Sequence, residues 1–439
     1  MRRPLIGIGA AAAALVVLAG CGTGGTGPQS QTTADDISTE MTDEPVTLTI
    51  SYASDPPITP LVEGFTELYP NVTIELVQTP FADYQTSLKL ALGSDDAPDI
   101  VQYSPGPMRS IVPAGLVEKL DGYADAYGWR DQVDPSLLGM LTSNETATEY
   151  GTGDLYAVPG AIQLIGVFYN KGLVDAAGIE GIPETLADFE ADLAAVQASG
   201  VSAPVAMPAF GIGGFQLWGA LASVLGDVDE FNAWVYGKDG ATLTENPGFT
   251  EAAALVQEWA AAGYFTSGAA AVADADAISA FQTGQNAYYV TGNWNTKVFD
   301  EALGDDLGFF LLPGASASTP AVATASGFPY SISSRSEHKN VAAAFLNFIV
   351  GQDAAAGVVE SGFVPVTPNA SDGATGVPAT IQDAYLSVID GGGTAPFANW
   401  ATSSMIDTLT SGAQGLINGT TTPEAFVESL QADWESNRP

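Results

Sequence analysis

The order of hydrophobic patterns predicts an α/β fold, in which a mostly parallel sheet is covered by helices. Apolar and polar residues alternate over 46–51 and again over 72–76, which is the period of a strand. Apolar residues recur at helical spacing over 61–69 and 81–92. A further apolar run at 99–103 predicts a third strand. Strands that alternate with helices through short links are typical of a parallel sheet, and ligands bind beyond the carboxyl ends of such strands.

The rest of the chain continues this alternation and carries no repeat of solenoid period. We expect the strand ends at 52–55 and 103–106 to be loops. No Pro-, Gly- or Ser-rich stretch after residue 45 is long enough to separate domains, so we expect lobes that share several crossings of the chain. The further predicted strands are 155–158, 162–169, 287–290, 307–312 and 330–333, and the further predicted helices are 185–199, 215–225, 250–262, 275–283, 340–355, 378–390 and 400–437.

The N-terminus predicts export. Two arginines precede an apolar run at 5–19, and Cys21, the only cysteine, follows Leu-Ala-Gly. This order is typical of a signal peptide (residues 1–20), and the run is shorter than the ~20 residues of a membrane-spanning helix. The cysteine resembles that of the bacterial lipobox, so we expect a lipid on Cys21 that anchors the protein at the extracellular face of the cell membrane. The alternative is an ordinary signal peptide with an incidental cysteine. The polar residues 21–45 predict a flexible tether.

Composition excludes several classes of function. The chain has 12 Lys and Arg against 51 Asp and Glu, and removal of residues 1–20 would move the formal net charge from −39 to −41. Such a surface repels phosphate backbones, which excludes nucleic acid as a partner. A single cysteine allows no intrachain disulfide, and a single histidine, His338, leaves little for a catalytic triad or a zinc site. We expect His338 to be solvated near a helix start.

We predict no metal, no cofactor and no catalytic residue. The acidic pairs at 227–229 and 274–276 lack the spacing of a calcium loop, and we expect them to be solvated.

Aromatic residues lie near the predicted ends of several elements. Trp294 follows a predicted strand in the run Gly292-Asn293-Trp294-Asn295, where asparagine offers both a donor and an acceptor. An aromatic face beside amides suits a sugar, whose C–H face packs on the ring while its hydroxyls need directional partners. For each tryptophan alone, packing in the core is the commoner role. The other aromatic residues at such positions are Tyr52, Tyr103, Phe215, Trp218, Phe397 and Trp400.

Several motifs, taken in order and with their spacing, carry a family resemblance. Over 46–437 the chain resembles the family-1 extracellular solute-binding proteins of ABC sugar importers, the group that contains maltose-binding protein. The motifs that carry the resemblance are Ala97-Pro98-Asp99-Ile100-Val101, the runs 153–159, 168–173 and 280–287, Gly292-Asn293-Trp294, the helix at 341–348 and a tail helix that ends near Trp434.

The resemblance implies a type II periplasmic-binding-protein-like fold, in which two lobes joined by crossing hinge segments close on a ligand in the cleft. The lobes would be 46–161 plus 318–364 and 162–317 plus 365–439. Asp99, inside its strand motif, is expected to be structural. The matching motifs imply ligand contacts at six positions, and the places of Tyr103 and Asn293 beside strand ends add two more. The predicted ligand-binding residues are Asp55, Tyr103, Gln163, Phe215, Trp218, Asn293, Trp294 and Trp400.

One departure from the family leaves the specific saccharide open. Where the maltose-binding branch carries charged sugar-contacting residues, this chain has Ser104-Pro105-Gly106-Pro107. We expect a monomeric, lipid-anchored receptor. It would capture a neutral carbohydrate of the oligosaccharide class and deliver it to the permease of an ABC transporter. The alternatives are a receptor for a peptide, a polyamine or another cation, and a secreted glycoside hydrolase, which needs two carboxylates ~5–10 Å apart.

Overall fold

The computed structural model describes residues 32–33, 36–53, 58–102, 105–367, 374–389 and 393–438. The expected signal peptide and Cys21 lie outside the described residues, as do two predicted ligand contacts, Asp55 and Tyr103. The strands of the described part are β1 (Val46–Ala53), β2 (Val72–Thr79), β3 (Ile100–Gln102), β4 (Thr142–Ser143), β5 (Asp154–Leu155), β6 (Val158–Asn170), β7 (Val205–Ala206), β8 (Tyr288–Gly292), β9 (Leu307–Phe310), β10 (Ala323–Ile332) and β11 (Thr394–Ala395).

Helices connect most of these strands. Within the described ranges no single helix has the length and apolar composition of a membrane span. One pair of consecutive helices, Lys339–Val350 and Gln352–Glu360, reaches that length and composition when taken together, but the pair is bent by 66°. The α-helices are α1 (Ile58–Leu68), α2 (Phe81–Gly93), α3 (Pro105–Ile111), α4 (Asp121–Tyr127), α5 (Trp129–Gln132), α6 (Pro135–Gly139), α7 (Lys171–Ala176), α8 (Leu186–Ala198), α9 (Gly213–Leu225), α10 (Val228–Val235), α11 (Pro247–Ala261), α12 (Asp274–Gln282), α13 (Thr296–Leu303), α14 (Lys339–Val350), α15 (Ala355–Glu360), α16 (Gly376–Ile389), α17 (Met405–Ile417) and α18 (Pro423–Asn437).

Two long strands, β6 and β10, hold the main sheet together. The strand order is β2-β1-β3-β10-β6-β8-β7, with β11 beside β10 and β9 beside β6. Pairing is parallel between β1 and its neighbours β2 and β3, and antiparallel between β10 and β6. The first half of β6 pairs with β10, whereas its second half pairs with β8 and β9. The strand β6 therefore belongs to both parts of the sheet.

The α/β class is confirmed, and the early order of strands and helices is the one that the sequence predicts. One local prediction is wrong: helix α3 begins at Pro105, where a loop through Gly106 was expected, because proline is favourable in the first turn of a helix. The tail helices expected within 400–437 are α17 and α18, and Thr422 caps α18 by accepting from the N–H of Ala425.

Part of the segment for which a flexible tether is expected makes specific contacts with the folded domain. Residues 36–45 (the N-terminal segment) lie against the folded domain, with Ile37 and Met41 partly buried on its core. Side-chain amides satisfy backbone groups that a solvated tether would leave to water. The contacts are the N–H of Ser38 donating to Asn340 at 3.2 Å, Asn340 donating to the carbonyl of Asp36 at 3.0 Å, and Asn71 donating to the carbonyls of Thr42 and Glu44 at 2.8 and 2.9 Å.

Candidate ligand-binding cavity

A cavity of about 400 Å³ opens where the carboxyl ends of β1 and β3 face the crossing strands β6 and β10 and the start of α9. This volume falls in the range of roughly 300–1,000 Å³ that is typical of small-molecule sites. The cavity is lined by Ala53, Phe81, Gln102, Gln163, Gly211, Ile212, Phe215, Gln216, Asp274, Ile278, Thr291, Trp294, Asn295, Phe328, Phe397, Asn399 and Trp400.

Aromatic rings form one continuous part of the wall. The ring centroids of Trp294 and Phe397 are 6.4 Å apart, and those of Phe397 and Trp400 are 5.7 Å apart. The Trp294 ring folds back over Gly292, where a Cβ atom would lie only 2.0 Å from it, so any other residue at 292 would displace the ring. Trp294 is half-buried, whereas Trp400 is 1% exposed. Trp294 can therefore offer a ring face to a ligand, while Trp400 presents little more than an edge.

Amide side chains supply the polar part of the wall. Gln163, in the middle of β6, donates to the hydroxyl of Ser326 on β10 at 2.9 Å. Asn295 donates to the hydroxyl of Thr291 at 3.1 Å. An amide carries two N–H donors and an acceptor oxygen with two lone pairs, so one bond leaves capacity for ligand hydroxyls. The amide residues of the wall are Gln102, Gln163, Gln216, Asn295 and Asn399.

Asp274 is the one ionisable side chain among the described lining residues. It begins α12, and its charge adds to the effect of burial in raising the pKa of Tyr289 above its ordinary value. The sequence predicts a solvated acid here, and the structure places Asp274, partly buried, in the cavity wall. A carboxylate at this position gives the cavity a local negative charge and a strong acceptor for hydroxyl or ammonium donors.

Four of the predicted ligand contacts line the cavity: Gln163, Phe215, Trp294 and Trp400. Their contact with a ligand remains a proposal.

Two other predicted contacts are in the wrong place. Trp218 is fully buried, donates from Nε1 to the carbonyl of Phe249 at 3.2 Å and packs edge-on against Phe426. Its ring is covered by α11 and α18, through Phe249 and Phe426, and is not part of the cavity wall.

Asn293 is likewise a structural residue. Its Oδ1 accepts from the N–H of Leu164 at 3.1 Å, and its Nδ2 donates to the carbonyl of Ile162 at 3.1 Å. Both ends of the fully buried amide are thus used to hold the turn after β8 against the crossing strand β6. Asp99 has the structural role that the sequence predicts, since its carboxylate accepts from the N–H of Thr49 and the hydroxyl of Ser336.

The structure adds lining residues that sequence reasoning missed. Gln102 ends β3, and Gln216 follows Phe215, so both had a positional signal beside a residue already singled out. Phe81 and Phe328 had none, because each belongs to an apolar pattern that is equally consistent with the core.

A concave cavity with aromatic and amide walls, at the place where a mixed sheet is crossed by two shared strands, is the usual form of a site for a small molecule. The chain belongs to the family of bacterial extracellular solute-binding proteins, whose sequence profile matches residues 60–384. Proteins of this family bind solutes for transport.

Two curated relatives are similar over part of their length. The erythritol/L-threitol-binding protein of Mycolicibacterium smegmatis is 30% identical over 200 residues, which is 41% of this chain and 40% of the relative. The galactooligosaccharide-binding protein of Bacillus subtilis is 22% identical over 55% of this chain and 54% of the relative. The aligned part of the chain thus spans about half the length of these relatives or less.

Solved structures share the fold over nearly the whole chain. A chitin oligosaccharide binding protein superposes with a TM-score of 0.75 at 20% identity, covering 90% of this chain and 100% of that one. The binding protein RafE, solved in complex with raffinose, has a TM-score of 0.69 at 19% identity and covers 89% of this chain and 100% of that one. At this identity the similarity establishes the fold.

Proposed function

We propose that the protein works outside the cell, where it captures a neutral oligosaccharide in this cavity and delivers it to the permease of an ABC transporter. The observation that carries the proposal is the composition of the wall, which combines a continuous run of aromatic rings with several amide side chains. The apolar C–H face of a sugar ring packs on Trp294, and its hydroxyls exchange water for amide donors and acceptors. The names of the relatives, which refer to polyols and oligosaccharides, support the same class of ligand.

Closure around the ligand follows from the two crossing strands. Gln163 on β6 and Phe328 on β10 line the cavity from within these strands. Bending at the strands would bring the aromatic wall at 294–400 towards Ala53 and Gln102 at the ends of β1 and β3. In this mechanism the predicted lobes move as bodies, and lipid on Cys21 keeps the receptor beside its permease.

A receptor for cationic solutes is the second candidate, because Asp274 places a negative charge in the wall. A polyamine or peptide amine would pair with that carboxylate and lie over the aromatic rings. A glycoside hydrolase is less well supported, since it needs a second carboxylate within ~5–10 Å and Asp274 is alone among the described lining residues.

Thermal shift separates these candidates, because a ligand that binds only the native state raises the melting temperature. The panel is erythritol, raffinose, maltotriose, diacetylchitobiose and a galactooligosaccharide, with spermidine and a tripeptide as the charged arm. We expect a shift with at least one sugar and none with the charged arm. A shift with spermidine or the peptide alone would overturn the proposal, and release of reducing ends would favour the hydrolase. Mass spectrometry of the mature N-terminus tests the lipid on Cys21.

A further inference from the structure

Arg109, in the middle of α3, is a buried arginine that binds backbone carbonyls. Its side chain is 4% exposed, and all of its hydrogen bonds in the described part of the chain go to main-chain oxygens. The bonds run from Nε to Trp400 at 3.3 Å, from Nη1 to Ala147 at 3.0 Å and to Thr148 at 2.9 Å, and from Nη2 to Val235 at 2.9 Å. One guanidinium therefore joins three segments that are far apart in sequence.

The charge of Arg109 is stabilised without a carboxylate within ion-pair distance among the described residues. The guanidinium carbon lies 4.2 Å from the centroid of the Tyr150 ring, which is the geometry of a cation–π contact. Burial lowers the pKa of Arg109 from its ordinary value. The planar fork, with donors in fixed directions, is what allows one side chain to reach four carbonyls, and lysine cannot reproduce that pattern.

One of the four acceptors belongs to the cavity wall. Asn399 and Trp400 both line the cavity, and α3 contacts them at a second point, where a Cβ on Gly106 would lie 2.9 Å from the carbonyl oxygen of Asn399. On the other side of this segment, the Asp433 carboxylate of α18 accepts from the hydroxyl of Thr402 at 2.5 Å. The wall at 399–400 is thus held between α3 and α18.

We propose that Arg109 is a positioning residue for ligand recognition: by holding the carbonyl of Trp400, it fixes Trp400 and Asn399 at the cavity. This inference rests on the proposed function. It predicts that loss of the guanidinium fork loosens the wall segment and weakens ligand binding through Trp400, although Arg109 itself touches no ligand.

The first test needs no ligand. Hydrogen exchange is measured on peptides that cover 397–404 in the wild type and in Arg109→Lys, which keeps the charge but not the fork. We expect exchange in this segment to be about tenfold faster in the variant, equivalent to about 1.4 kcal/mol of local stability. The matched control is Arg130→Lys, whose guanidinium pairs with Asp121 and Asp125 at a partly exposed position and whose change should leave 397–404 as in the wild type. Unchanged exchange in Arg109→Lys would overturn the proposal whether or not a sugar binds.

The second test is a double-mutant cycle on the dissociation constant for raffinose, or for the panel sugar with the largest thermal shift. We expect Arg109→Lys to weaken binding about tenfold, and to add little in a Trp400→Phe background, because coupled residues are non-additive. Losses that simply add would show that Arg109 does not act through Trp400. If no panel sugar binds the wild type, the proposed function fails while the exchange test still decides the positioning role.

A second variant covers the case in which Arg109→Lys does not fold. Gly106→Ala keeps the arginine and presses a methyl group on the carbonyl of Asn399. It should also weaken sugar binding, and unchanged affinity in the folded Gly106→Ala protein would contradict the proposal.

Discussion

Glu118 and Lys339 form an ion pair in which Oε1 and Nζ are 2.7 Å apart, with the glutamate side chain fully buried and that of the lysine 19% exposed. The other carboxylate oxygen, Oε2, accepts from the N–H of Thr32 at 3.0 Å. The pair therefore ties the first residue of α14 to the chain that precedes the N-terminal segment.

Lys339→Met should lower the free energy of unfolding by about 2–4 kcal/mol, because it leaves the buried Glu118 carboxylate without its cation. Urea unfolding followed by circular dichroism measures the loss. Lys119→Met is the control, since Lys119 is 35% exposed and pairs with Glu145 (77% exposed) and Asp154 (35% exposed), so the loss should be about 1 kcal/mol or less. Equal losses in the two variants would contradict the dependence on burial.

Asn340→Ala should release the N-terminal segment, because this amide bonds the backbone at both Asp36 and Ser38. Loss of these bonds should speed hydrogen exchange at the Ser38 amide by about tenfold. Asn437→Ala is the control, since its amide bonds within α18 to the carbonyl of Asp433. The affinity for sugar should stay at the wild-type value. A segment that exchanges equally fast in the wild type would mean that it is a free tether in solution.

Trp294→Ala should weaken binding of the panel sugar by about 1–3 kcal/mol, as expected for loss of a stacking ring. Calorimetric titration measures the change. Trp218→Phe is the matched control, because it removes the bond to Phe249 inside the core and should lower stability with no effect on affinity. An affinity that falls in Trp218→Phe but not in Trp294→Ala would reverse the assignment of these two tryptophans.

Asp274→Asn should weaken sugar binding by roughly 1.5–3 kcal/mol if the carboxylate accepts from ligand hydroxyls. The control is Asp276→Asn, two residues further along α12, where the side chain is exposed to solvent. The same titration checks both variants. A sugar affinity that does not change in Asp274→Asn would exclude this carboxylate from the ligand shell and remove the main support for cation binding as well.

Much of the fold follows from local patterns. The alternation at 46–51 and 72–76 predicts β1 and β2, and their parallel pairing in register follows from the helix between them. The start of α3 was missed, because it depends on helix-terminus geometry that a hydrophobic pattern does not contain. The contacts of the N-terminal segment were missed for a related reason. Its backbone groups form hydrogen bonds with Asn71 and Asn340, which are distant in sequence.

The residues of the candidate site were likewise predictable only in part. Trp294 and Trp218 were both predicted to contact the ligand from their places near element ends, and the sequence around them does not show which of the two is buried. Trp218 is buried because Phe249 on α11 and Phe426 on α18 cover it, and both residues come from remote parts of the chain.

By itself, the sequence determined the α/β class, because periodicity is a property of the chain before it folds. The export signal and the exclusion of nucleic acid rest on composition and charge alone and stay predictions. Only the tertiary structure decided which side chains face the cavity and which are structural. Gln163 lies within the crossing strand β6 and Asn293 packs beside it. The amide of Asn293 bonds the backbone of Ile162 and Leu164, whereas Gln163 reaches the cavity. That difference arises from packing between distant segments, which no local pattern encodes.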